Sequence, residues 1–168
     1  MTLAADLLDQ ADHLAGRERG RPKQASLRRA ISSAYYSLFH LIVEDASRFL
    51  VGGSRLLPSV ARSFDHQAVR AAAAALGDIS RKPTQAHWLR VHVDAPISPE
   101  LTLVCDAFVD LQEQRNKADY DVGASFTRLE ANGFVNLARN AHSLWPSQRG
   151  THNAHALILV SAKLLRAR

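Results

Sequence analysis

Apolar residues recur at spacings of three and four along most of the chain, with polar residues between them, the pattern of amphipathic helices. Thr2 is placed to cap a first helix carrying Leu3, Leu7, Leu8, Ala11 and Leu14, which Gly16 ends. A long second helix, from about Lys23 to Leu50, has the stripe Leu27, Ile31, Ala34, Leu38, Leu41, Ala46 and Phe49, stopped by Gly52 and Gly53. A third runs through Leu57, Val60, Ala61, Phe64, Ala68, Ala71, Ala72 and Ala75 to Gly77. Between residues 78 and 97 the periodicity dissolves around Pro83 and Pro96, which predicts a long loop of functional or mobile character. Ser98, Pro99 and Glu100 restart a helix as cap, first-turn proline and dipole-matched acid, and it carries Leu101, Val104, Phe108 and Leu111 up to a break at Gly123. Phe126, Leu129, Phe134, Leu137, Ala141 and Leu144 define a fifth helix ending before Pro146. A last helix, within a C-terminal extension over 146–168, starts near Asn153 and presents Leu157, Ile158, Val160, Leu164 and Leu165. No strand pair appears, so the pattern predicts an all-α chain of five to six helices.

The length of 168 residues, 46% of them apolar and 22% charged, fits one folded domain over 1–168. The longest apolar runs, Ala71–Leu76 and Ala156–Val160, fall far short of the roughly 18 residues a membrane span needs. Asp6, Asp9 and Asp12 stand where a secretory signal would be basic and then apolar. The single Cys105 excludes an intrachain disulfide. Both features predict a cytoplasmic protein.

The net charge of +5 is unevenly spread. Residues 17–29 and 139–168 each carry +5, the first 16 residues −3 and the middle −2. Two basic segments therefore flank a slightly acidic body, an asymmetry that permits a polyanion partner without demanding one.

Two groups of residues break the helical pattern. Extending the fourth apolar stripe by steps of four from Leu111 lands on Arg115 and then Asp119, within Arg115-Asn116-Lys117-Ala118-Asp119-Tyr120-Asp121. This is either a solvated helix end with an ordinary Arg115–Asp119 pair or an arginine held inward to grip a phosphate. On the second helix Arg29, Ser33, Tyr36 and His40 form a polar-tipped stripe, either a boundary face or one wall of a polar groove. The pairs His87/His92 and His152/His155 lack companion carboxylates at metal spacing and read as structural, so no metal or other cofactor is predicted. Cys105, beside Val104 and Phe108, reads as a small buried hydrophobe. There is no Gly-rich phosphate loop and no GxSxG.

Together the two groups resemble the HEPN domain family. Arg28-Arg29-Ala30-Ile31-Ser32-Ser33-Ala34-Tyr35-Tyr36-Ser37-Leu38-Phe39-His40 resembles its second-helix signature, and Arg115 to Asp121 its later-helix motif. Ser63 to Val69, containing His66, is a weaker match, and the resemblance covers about residues 3–145. It implies an antiparallel helical bundle that dimerises. Many members are metal-independent ribonucleases, often toxins paired with a nucleotidyltransferase-like antitoxin, and others are non-catalytic RNA-binding or accessory domains. In catalytic members an Arg and a following His from both protomers line a shared cleft, the Arg stabilising the phosphate and the His moving protons. Arg115 matches the Arg, and Asn116 the polar residue after it. The expected His positions hold Tyr120, Asp121 and Val122.

The resemblance thus implies an RNA-associated homodimer with a cleft around Arg115, lined by Arg29, Tyr36 and Asp119, and with Tyr120, Asp121 or His40 as candidates for proton handling. The alternatives are a non-catalytic dimerisation or protein-interaction module, in which Asp119–Asp121 merely orders the helix end, and a small-ligand domain lidded by the loop carrying His87 and Trp88.

Overall fold

The computed structural model describes residues 2–166, and among them every regular element is helical. In order these are α1 Leu3–Gly16, α2 Gln24–Val51, α3 Leu57–Ser63, α4 His66–Arg81, a 3-10 helix Trp88–His92, α5 Pro99–Tyr120, α6 Arg128–Gln148 and α7 His152–Ser161. The all-α class is as the periodicity predicted, but the seven α-helices exceed the five to six expected. The third periodic segment is two helices. Phe64 is extended, and the Asp65 side chain caps α4 by accepting from the Ala68 N–H at 2.7 Å. Apolar spacing is blind to such a break, because α3 carries apolar residues at helical spacing yet buries none of them fully.

Two further boundaries moved. Gly77 does not end α4; a Cβ there would lie 2.9 Å from both Arg81 Nη2 and Asp106 Oδ1, so the glycine makes room for the Arg81–Asp106 ion pair at 2.6 Å. The helix ending α6 continues through Pro146 to Gln148. Trp145 is buried there and donates from Nε1 to Asp45 at 2.9 Å, and Arg149 reaches the same carboxylate at 3.2 Å.

The chain divides into two compact units, the first comprising residues up to Leu41 with Asp110–Ser143, the second Ile42–Val109 with the chain from Leu144 onward. The first unit buries Leu27, Ile31, Tyr35 and Leu38 of α2, Leu111 of α5 and Val135 of α6. Its outer helices pack by their small residues. Helix α1 buries Ala4, Ala11 and Ala15, leaving Leu3 57% exposed and Leu7 and Leu14 half-buried. Helix α6 buries Ala131, Val135, Ala138 and Ala141, while Leu129 is 82% exposed. The leucine stripes expected to face the core are therefore rotated away from it, because alanines allow closer helix approach.

The second unit packs α4 on α7 and buries Leu76, Leu89, Leu101, Val104, Phe108 and Leu157. Its connection from 82 to 98 is clamped rather than loose. Arg90 donates to the carbonyls of Ile79, Lys82 and Gln85, and Asn153 holds both backbone groups of Asp94, at 2.7 and 2.9 Å. The histidines that suggested pairs have local roles. His87 caps the 3-10 helix, His152 Nε2 meets the His92 carbonyl at 3.1 Å, and His155 stacks on Phe49 at 4.1 Å. No helix among the described residues is long and apolar enough to cross a membrane.

Two measurements test this packing. Burial pushes the Cys105 thiol up to about 12, so Cys105 should resist thiol reagents in the native protein at pH 8 and react fully in denaturant. Burial also holds the His142 imidazole below its ordinary 6.5, against a hydrogen bond to the Ser37 backbone, and its Nε2 is buried without a partner. Below pH 6.5 the unfolded chain then binds the extra proton first, so stability is full above 6.5 and falls as the pH drops. Urea unfolding at pH 7.5 and 5.0 should show a smaller loss for His142→Gln than for the wild type.

Candidate functional site

The polar-tipped stripe of α2 and the charged end of α5 meet within the first unit. Arg115 Nη2 donates to the Tyr36 hydroxyl, and the Ser32 hydroxyl donates to Asp119 Oδ1 at 2.5 Å. Ser32 and Tyr36 are one turn apart on α2, as are Asp119 and Arg115 on α5, so the two helices run antiparallel here, pairing turn with turn. The next rung is Arg28, whose guanidinium donates to the carbonyls of Ala118 at 3.0 Å, Asp121 at 2.9 Å and Val122 at 3.5 Å, and also to that of Ala124. The last turn of a helix leaves carbonyls without intrahelical partners, and Arg28 collects them together with those of the turn beyond.

Arg115 sits inside this ladder with its side chain 13% exposed. Its Nε lies 2.8 Å from Asp119 Oδ2, a charge contact outside hydrogen-bond alignment, and its Nη1 donates to Asn116 Oδ1 at 3.1 Å. The guanidinium lies 5.9 Å from the ring centre of Tyr35, 5.2 Å from that of Tyr36 and 5.1 Å from that of Tyr120. Three electron-rich faces thus surround one cation. Burial works against its charge, but the Tyr36 hydrogen bond and the neighbouring Asp119 more than offset it and hold its pKa above the usual arginine value. Burial likewise raises the Tyr35 phenol, which stays neutral.

The residues singled out in the sequence are placed as follows. Arg115, Asn116, Asp119, Tyr36 and Tyr120 come together, with Tyr120 itself 70% exposed. Asp121 is turned away from this cluster: its Oδ1 accepts from the Gly123 N–H at 2.9 Å, closing the turn that Arg28 holds. His40 is half-buried and edge-on to Phe39 at 5.6 Å. By the register of the ladder it faces the turn at 111–112, one rung beyond Arg115. Arg29 is exposed and lines a groove between α1 and α2 that reaches Tyr36. Ser32, which anchors Asp119, and the capping role of Arg28 were not expected from the sequence; the available signal was that Ser32 lies four residues before Tyr36 and Arg28 four before Ser32.

The connections on either side are stitched to this end of the unit. Gln24 makes paired hydrogen bonds with the Phe126 backbone at 2.8 and 2.9 Å, and Arg128 donates to the carbonyls of Glu18 and Gly20. Among the described residues no group of three or more His, Cys, Asp or Glu comes together that could hold a metal ion. No protein-family model matches the chain, and no curated protein or solved structure shows a significant match.

The four-carbonyl cap gives a direct test. Arg28→Ala should cost about 2 kcal/mol of stability and accelerate amide exchange in residues 121–126. Exchange there at the wild-type rate would contradict the capping role.

Proposed function

We propose that the chain is a HEPN-like, RNA-associated protein that works as a cytoplasmic homodimer, with Arg115 as its phosphate-binding group. The observation that carries this reading is the state of the guanidinium. Arg115 has five N–H groups and three neighbours, at Nε, Nη1 and Nη2, so two N–H groups remain uncommitted. The fork is charged, fixed in orientation and low in local water, which favours an incoming phosphate oxygen. Tyr120, exposed beside it, offers a ring face to a base and a hydroxyl to the strand.

The enzymatic form of this reading is a metal-independent endoribonuclease or toxin component with a nucleotidyltransferase-like antitoxin as partner. The strand's 2′-hydroxyl would lose its proton to solvent and attack the adjacent phosphorus while the P–O5′ bond breaks, giving a 2′,3′-cyclic phosphate and a free 5′-hydroxyl. Arg115 would stabilise the charge gathering on the phosphoryl oxygens, and Asn116 would orient Arg115. With no imidazole at 120–122 and Asp121 engaged in its turn, Tyr120 is the protein group best placed to donate a proton to the leaving oxygen.

A second reading, a non-catalytic interaction module, is favoured by the Arg28 cap and by Tyr120, Val122 and Leu129, large exposed residues that follow one another around the α5–α6 connection. That surface suits a partner chain in either reading.

The deciding experiment measures binding and cleavage of a single-stranded RNA in EDTA by the wild type, Arg115→Lys, Arg115→Ala and Tyr120→Phe, with helix content checked for each. Arg115→Ala should weaken binding at least tenfold and remove any cyclic-phosphate product, with Arg115→Lys in between. Equal binding by wild type and Arg115→Ala would favour the interaction module and overturn the role given to Arg115.

A further inference from the structure

The groove that ends at Tyr36 has a character of its own. It encloses about 550 Å³ between α1 and α2 and is walled by Leu7, Gln10, Leu14 and Arg17 on one side and by Arg29 and Tyr36 among others on the other. No acidic residue lines it. Arg17 and Arg29 are both exposed; Glu18, next to Arg17 in the chain, feels the Arg17 charge but is hydrogen-bonded to Ser26. Three cations of the C-terminal basic segment differ: Arg139 pairs with Asp12 at 2.8 Å, Arg149 with Asp45 at 3.2 Å and Lys163 with Asp65 at 2.6 Å. Two exposed cations and no acid therefore line this groove. Its serine hydroxyls are already engaged, Ser26 with Glu18, Ser32 with Asp119 and Ser33 with Gln10, so the two arginines are its charged donors.

The opposite wall is apolar for a structural reason. Because α1 packs through Ala4, Ala11 and Ala15, its Leu7 and Leu14 turn into the groove instead of the core. Apolar walls beside exposed guanidiniums match a ligand whose bases and phosphates alternate. Arg29 lies seven residues before Tyr36 on one helix, about 10 Å away along the axis, the scale of one to two nucleotide steps. A groove of this volume has the size of a small-ligand cleft.

We infer that the α1–α2 groove is a binding track for single-stranded RNA, in which Arg17 and Arg29 hold successive phosphates and Leu7 and Leu14 receive unstacked bases, leading the strand to Tyr36 and Arg115. This rests on the RNA reading above and assigns the strand's path, which that reading leaves open. Affinity arises in the groove, and Arg115 acts on one phosphate at its end.

The test is fluorescence anisotropy with a labelled six-nucleotide single-stranded RNA over a range of salt, using the wild type, Arg17→Gln, Arg29→Gln, the double variant and Leu7→Ser. Unlabelled AMP and inorganic phosphate serve as competitors. Both arginines are exposed, so the variants should keep wild-type helix content. The double variant should bind at least tenfold more weakly, and the slope of log K against log salt should become shallower by about 1.4, or about 0.7 per single-strand phosphate released. Leu7→Ser should weaken binding without changing the slope. A double variant that binds with wild-type affinity and slope overturns the track, while loss of binding in Arg115→Ala alone would leave the Arg115 reading standing. Loss in the groove variants with Arg115→Ala unaffected would keep the track and remove the Arg115 role. AMP competing as tightly as the oligonucleotide, or no RNA binding by the wild type, would overturn the strand as ligand.

Discussion

A half-buried arginine needs a partner, and Arg115 finds one in Asp119 one turn along its own helix, the carboxylate being steadied from α2 by Ser32. Either charge alone at 13% and 17% side-chain exposure would be costly to desolvate. Together, and bonded to Tyr36 and Ser32, they convert a helix end that would otherwise fray into a fixed seam between α2 and α5. Arg28 extends the seam past the end of α5 by holding the turn at 121–124. The geometry of every candidate group follows from this ladder: Tyr120 is left outside it, Asp121 is absorbed into the turn, and His40 falls one rung away.

The ladder also explains why an apolar stripe can run into charged residues without ending the helix. At Leu111 the stripe of α5 is core; four and eight residues on, the same face meets polar tips on α2. The sequence makes part of this legible: Arg115 and Asp119 repeat at four residues on one helix, but of the stripe Arg29, Ser33, Tyr36 and His40 expected on the other, Tyr36 bonds to Arg115 while Ser33 bonds to Gln10, the further contacts coming from Arg28 and Ser32. What spacing cannot give is register between helices, so the cluster could be expected from α2 and α5, but not that Tyr36 rather than His40 would meet Arg115.

The helical class was legible throughout, since periodicity and capping residues are local signals. The failures share a cause. Leu3, Leu7 and Leu129 were expected inside because large apolar side chains dominate a hydrophobic pattern, whereas α1 and α6 pack through alanines. Helix approach distance is a property of the pair, absent from either strand of sequence. The connection over 82–98 misled in the same way: it lacks periodicity but is clamped by Arg90 and Asn153, whose bonds are to backbone atoms and carry no pattern. The uneven charge gained meaning only with structure, which pairs Arg139, Arg149 and Lys163 with acids and places the exposed Arg17 and Arg29 at the groove.

The claim that the rest depends on is energetic coupling between Arg115 and its partners across the seam. A double-mutant cycle in urea with Arg115→Met, Asp119→Ala and the pair measures it directly, the singles removing one charge each and the double removing both. The account predicts that each single costs more than half of the double, with a coupling of about 1–3 kcal/mol, because either residue left alone is a half-buried unpaired charge. Additive losses would mean that the pair is an ordinary solvated contact at a helix end, and that the seam does not hold Arg115 in place.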